Sequence, residues 1–174
     1  FVKEFLRQTN ADGSGIEQTS WYLKFIYELA VVTLPIMDKS GQEKIQSRVC
    51  SVEQFLAGIS IKGQIISFGD SDNGYAVSRY LSFTKKEVSA GDVHFHYEDT
   101  GLIRVQQSDT VIFFDCGNLG MKPGFGHGHA DALSIQIFYR SAPVLCETGT
   151  GTYNGDNEQR RYFRSTAAHN TLVI

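Results

Sequence analysis

The chain has 174 residues, 41% of them hydrophobic and 20% charged, with a formal net charge of −3. This is the composition of a globular protein, neither disordered nor collagen-like. The charge excludes the basic stripe of a general nucleic-acid binder, and no apolar run approaches the roughly 20 residues that span a bilayer. Twelve Phe and eight Tyr suit a β-rich core or a sugar-stacking cleft. The three cysteines, Cys50, Cys116 and Cys146, have no CxxC spacing and are odd in number, which argues against a disulfide scaffold.

The first third reads as helix. Apolar residues at 1, 2, 5 and 6 predict a helix over Phe1–Gln8, ended by the turn residues Asn10 to Gly15. Positions 22, 23, 25, 26, 29 and 30 recur with a helical period and predict a second helix over about Gln18–Met37, closed by Pro35 and Gly41. A third, about Gln42–Leu56, places Ile45, Val49, Val52, Phe55 and Leu56 on one side.

After Gly58 the period changes from 3.6 to 2. Short alternating runs between Gly, Asp and Asn turns predict strands over Tyr75–Phe83, Leu102–Gln106, Thr110–Asp115, Ala132–Arg140, Val144–Glu147 and Thr171–Ile174. Helices followed by strands mean an α+β chain or two adjoining domains. The expected division is 1–58 and 59–174, with the boundary near Ile59–Gly63. Because Phe1 is not a usual start and the last expected strand runs to Ile174, the chain reads as a segment of a longer protein.

The chemistry concentrates in the histidines. In an extended backbone, His127, His129 and Asp131 of Gly126-His-Gly-His-Ala-Asp131 would project from one face, two imidazoles and a carboxylate suited to zinc. Glycines at 124, 126 and 128 let backbone or substrate approach closely. The same string opens the metallo-β-lactamase signature, but that family needs a further His where Ala132 stands, and a strand follows instead of a helix. His94 and His96 read as strand surface. Arg160, Arg161 and Arg164 form the one basic cluster, which reads as a solvated loop or as an anion-binding patch.

Several strings together, in order, resemble the heparinase II/III-like polysaccharide lyases: Gly126-His-Gly-His-Ala-Asp-Ala-Leu-Ser134, Glu147-Thr-Gly-Thr-Gly-Thr-Tyr-Asn154, Arg161-Tyr-Phe-Arg-Ser-Thr166 and Ala168-His-Asn-Thr-Leu-Val173. Upstream, Asp12-Gly-Ser-Gly-Ile-Glu-Gln-Thr-Ser-Trp-Tyr22 is similar to the segment leading to the family's catalytic tyrosine. Gly69-Asp-Ser-Asp72 and Asp115-Cys-Gly-Asn-Leu-Gly120 are similar to the start of its sandwich domain. The resemblance implies the last helices of a truncated α/α toroid followed by an antiparallel β-sandwich.

It also implies a lyase that cleaves uronic-acid-containing acidic polysaccharide, a glycosaminoglycan or alginate, by β-elimination. Tyr22 and His127 would be catalytic, and Arg161 and Arg164 would bind substrate. A mainly structural zinc would be held by His129, His169 and Glu147, with Asp131 as the alternative to Glu147. Two departures stand out: Leu23 where the family often has His, and Glu147 where it usually has Asp. They suit the other reading, a non-catalytic, metal-containing carbohydrate-binding or assembly domain. By resemblance too, the protein is periplasmic or extracellular and can form a homodimer. The residue that neutralises the substrate carboxylate would lie in a helix before Phe1.

Overall fold

A computed structural model describes residues 1–71, 77, 88 and 91–173. Three helices open the chain: α1 (Val2–Gln8), α2 (Ser20–Thr33, continued by a 3-10 turn at Leu34–Ile36) and α3 (Lys39–Gly58). Their starts obey local chemistry. The Thr19 side chain accepts from the Tyr22 amide and Asp38 accepts from the Gly41 amide, each satisfying a donor that the helix leaves open. Pro35 sits in the 3-10 turn, where α2 can go no further.

A two-stranded hairpin, β1 (Ser60–Ile61) and β2 (Gln64–Ile65), follows directly. Five strands then form an antiparallel meander: β3 (Val93–Tyr97), β4 (Leu102–Gln107), β5 (Thr110–Asp115), β6 (Ile135–Tyr139) and β7 (Ala142–Leu145). A short helix, α4 (Asn157–Phe163), precedes a 3-10 turn at Thr166–Ala168. The α+β class and the antiparallel pairing expected from the sequence are both present. Among the described residues the layers are the helices, the five-stranded sheet and the small hairpin.

Alternation decides which face of the sheet turns inward. Leu102 and Arg104 on β4, Val111 and Phe113 on β5, and Gln136 and Phe138 on β6 are buried. Leu102, Val111, Phe113 and Phe138 of these join Phe5, Leu23, Ile45, Val52, Phe55 and Leu56 from the helices in one continuous hydrophobic cluster. Phe5, Phe55 and Phe113 are each at most 2% exposed, and burying such a side chain contributes about 1.5–3 kcal/mol.

The junction of helices and sheet is held by polar contacts as well. Arg104 donates to the Gly58 carbonyl at 2.6 Å and to the Gln106 side chain at 2.7 Å. The Tyr97 ring packs edge-on against Phe55 with centroids 4.6 Å apart. Burial pushes the Tyr97 hydroxyl up to about 12.

Some local expectations require correction. Residues 171–173 form no strand; Thr171 only hydrogen-bonds the Ala132 carbonyl, and the Asn170 carbonyl accepts from Ile135 at the start of β6. The arginine cluster is no loop but largely α4, capped by Asp156, whose side chain accepts from the Glu158 amide. The expected strand Tyr75–Phe83 lies, Val77 excepted, outside the described residues. All three cysteines are free.

Candidate active site

The loop joining β5 to β6 carries the histidines, and it is not extended. Between Cys116 and Ser134 there is no strand, and Met121, Phe125 and Leu133 adopt positive φ. His127, His129 and Asp131 therefore do not share a strand face. Two of them instead converge on a residue to which the sequence reading gave no role, Asp70.

Asp70 follows β2 and is completely buried. Gly69 makes its position accessible. With φ of +57°, a Cβ there would lie 2.6 Å from the Gln18 carbonyl oxygen and 3.0 Å from that of His127. The Asp70 amide donates to the His127 carbonyl at 3.0 Å. Its carboxylate accepts from His127 Nδ1 at 3.1 Å, from His129 Nε2 at 2.9 Å, and from both terminal nitrogens of Arg160 on α4. Burial acts to raise the Asp70 carboxyl, but the hydrogen bonds from His129, Arg160 and His127 outweigh it and hold it well below the usual carboxylate range.

An ionised carboxylate only accepts hydrogen bonds, so each histidine must present an N–H to it. The consequence differs between the two rings. His127 turns its Nδ1–H to Asp70, and its Nε2 lies 4.0 Å from the Glu17 carboxylate. His129 holds its proton on Nε2, and its buried Nδ1 lone pair has no partner. One acid thus fixes two opposite tautomers.

Tyr22, in the first turn of α2, stacks at a tilt against His127 with ring centroids 4.1 Å apart. Its hydroxyl faces that of Tyr153 at 3.4 Å. Burial, the Tyr22 contact and the Asp70 charge push the Tyr153 hydroxyl far up, so it stays a neutral phenol. Arg160 covers the Tyr153 ring at 5.3 Å. Leu23 is 1% exposed and part of the helical core, which explains an apolar residue beside Tyr22.

A second cluster lies next to the first. The His169 and His129 ring centroids are 5.2 Å apart. His169 Nδ1 contacts Glu147 Oε2 directly, and that bond, against the opposing effect of burial, raises the imidazole above its ordinary range. Glu147 Oε1 and His169 Nε2 are buried without partners, like His129 Nδ1. Asp131 stands on this side too, pushed up to about 7 by burial and by the charge of Asp115. Among the described residues, no three His, Cys, Asp or Glu side chains already close on a single metal position.

Of the two predicted substrate arginines, Arg164 donates to the Phe125 and Gly128 carbonyls at 2.9 and 3.0 Å and so holds the histidine loop in shape. Arg161 is exposed, and with Arg160 and Arg164 it lines a cavity of about 300 Å³ beside His129. His94 and His96 lie exposed on β3, as expected. Asp70, Arg160 and Tyr153 were not expected as site residues. The Gly69-Asp70 pair and the basic cluster were visible in the sequence, but nothing in their spacing pairs residues so far apart.

Helices whose end abuts an antiparallel meander, with a Tyr–His–Asp cluster at the junction, make this an α+β protein. Residues 91–174 match the sequence model of the family "Heparinase II/III-like, C-terminal". Among solved structures it is similar to a heparinase III gene product (TM-score 0.72, 20% identity, covering 97% of this chain and 31% of that one). It is also similar to a mutant of the heparan sulfate lyase HepC from Pedobacter heparinus (TM-score 0.72, 18% identity, 96% and 31% covered). A further crystal structure of heparinase III gives a TM-score of 0.70 at 15% identity, with 99% and 34% covered. The chain thus spans about a third of the length of these relatives. No curated protein sequence matches it.

Proposed function

We propose that this chain is part of a lyase that cleaves an acidic, uronic-acid-containing polysaccharide by β-elimination. The observation that carries the reading is the stack of Tyr22 on His127, whose Nδ1 is anchored to buried Asp70. In the elimination a base takes the proton on C5 of the uronate. The electron pair forms the C4–C5 double bond as the C4–O bond breaks, and an acid protonates the departing oxygen. His127 Nε2, freed as a lone pair by the Asp70 contact, would accept the C5 proton. The Tyr22 hydroxyl would donate to the leaving oxygen. Arg161, at the mouth of its cavity, would meet a substrate carboxylate or sulfate.

Zinc is the proposed occupant of the neighbouring cluster. His129 Nδ1, His169 Nε2 and Glu147 Oε1 are three buried polar atoms without hydrogen-bond partners, on the side-chain types zinc prefers. His129 also gives its other N–H to a carboxylate, the usual support for a ligating imidazole. The metal, when bound, would brace the wall that presents His127. Exposure of the site at a surface, and a role outside the cytoplasm, are consistent with a polymeric substrate.

The test is to supply the full-length protein with a panel of acidic glycans and follow the ultraviolet absorbance of the new double bond. An absorbing product is expected from at least one uronate polymer. If none appears while a glycan still binds, the chain is a non-catalytic carbohydrate-binding domain that kept the fold.

A further inference from the structure

The end of the sheet opposite the histidine loop holds a cavity of about 330 Å³, within the size range of about 300–1,000 Å³ of small-molecule sites. The histidine loop leaves β5 at Asp115, whereas this cavity adjoins its other end, Thr110, so the two are separated by a strand length of ~17 Å. None of its lining residues belongs to the Asp70 cluster.

Three hairpin tips converge there: Lys62-Gly63 between β1 and β2, Ser108-Asp109 between β4 and β5, and Arg140-Ser141 between β6 and β7. The last two are tied by the Arg140 amide donating to the Asp109 carbonyl at 2.8 Å. Lys62, Ser108, Arg140 and Ser141 all have φ between +49° and +67°, a backbone that non-glycine residues rarely adopt. Glycine or asparagine is the usual choice at such turns. Here two of the positions carry cationic side chains instead.

The cavity wall also contains Arg104, only 3% exposed. Its hydrogen-bond acceptors are all neutral: the Gly58 and Ser60 carbonyls and the Gln106 amide oxygen. Its Nε has no partner, and among the described residues no carboxylate forms an ion pair with it. A buried guanidinium without a counter-charge is costly. With Lys62 and Arg140 set against Asp109, the cavity carries an excess of two positive charges.

We infer that this cavity binds an oxyanion, a sulfate or carboxylate group, held by Arg104 from within and by Lys62 and Arg140 at the rim. The site is independent of the lyase reading. Its occupant is either a free inorganic anion or an acidic group of a glycan that extends away from the histidine loop.

The experiment uses the full chain, with inorganic sulfate as the probe and chloride at matched ionic strength as control. Thermal unfolding and calorimetry are recorded for the wild type and for the Lys62→Met/Arg140→Met double variant. Both side chains are exposed, so the variant should keep the wild-type melting temperature without sulfate. A saturable sulfate response is expected in the wild type, with the apparent affinity weakened at least tenfold in the variant. Sulfate also stabilises proteins generally, by exclusion from their surface, but that effect does not saturate and is the same in both. A response that is non-saturable, or equal in the two proteins, overturns the proposal. A sulfated oligosaccharide separates the sources: a variant-sensitive shift at far lower concentration than sulfate identifies glycan, and a shift with the free ion alone identifies the inorganic anion.

Discussion

Arg160 grips both carboxylate oxygens of Asp70, a residue 90 positions earlier in the chain. The pair is buried on the Asp70 side and 17% exposed on the Arg160 side, and the same carboxylate orients His127 and His129. Replacing Asp70 by Asn keeps the shape but removes the charge. Breaking one partner of a buried ion pair costs about 3–5 kcal/mol. Asp70→Asn should therefore lower the melting temperature by on the order of 10 °C, and it should also depress turnover, because His127 loses its fixed tautomer. Calorimetry and a rate assay on the same preparation check both effects; an unchanged melting point would remove Asp70 from the centre of the site.

Tyr22→Phe deletes one hydroxyl and keeps the ring against His127. Turnover on a cleaved glycan should fall ~10²- to 10⁴-fold, with substrate affinity and melting temperature little changed. Wild-type turnover in this variant would show that Tyr22 is not the acid.

His129 and His127 sit on the same carboxylate, yet only His129 presents a buried free nitrogen toward His169. Elemental analysis should find zinc lost in His129→Ala and retained in His127→Ala. Equal zinc in both variants would exclude His129 as a ligand.

Gly58 closes α3 directly under Tyr97. A Cβ at Gly58 would lie 1.7 Å from the Tyr97 hydroxyl oxygen, and that ring is wedged against Phe55. Alanine favours helix by about 1 kcal/mol over glycine, but overpacking costs about 1–3 kcal/mol, so Gly58→Ala should destabilise. Adding Tyr97→Phe should recover much of the loss, which denaturant titration of the single and double variants will show.

Tyr97 and Tyr27 are both pushed up to about 12 by burial, from about 10 in an unfolded chain. A raised folded value means stability that is fully present below pH 10 and lost as the pH climbs through 12. Unfolding in alkali should therefore coincide with tyrosinate formation between these values, and Tyr97→Phe should weaken the dependence. A stability profile flat from pH 9 to 12 contradicts this.

The helices were legible because their apolar periods are long: the expected Gln18–Met37 and Gln42–Leu56 lie over Ser20–Thr33 and Lys39–Gly58. Thr110–Asp115 matched to the residue, since a short run of β-branched and aromatic residues bounded by Asp109 and Gly117 marks a strand. What failed was local inference without a period. α4 is seven residues long with no buried position, so its apolar pattern is silent and only Asp156 and Glu158 mark its start. The histidine loop was expected to be extended because spacing alone cannot register its positive-φ residues. Asp70 carries no local signal of its role, because its partners come from two other segments of the chain.

The hydrogen bond from Arg104 to Gly58 bears on how this protein could be rebuilt. The last carbonyl of α3 is satisfied from β4 of the sheet, and the hydrophobic cluster runs unbroken from Phe5 to Phe138. A chimera that joins these helices to another sandwich at residue 59 would strand that carbonyl and expose half of the cluster. A graft that carries Arg104, Phe113 and Tyr97 along with the helices keeps the seam intact.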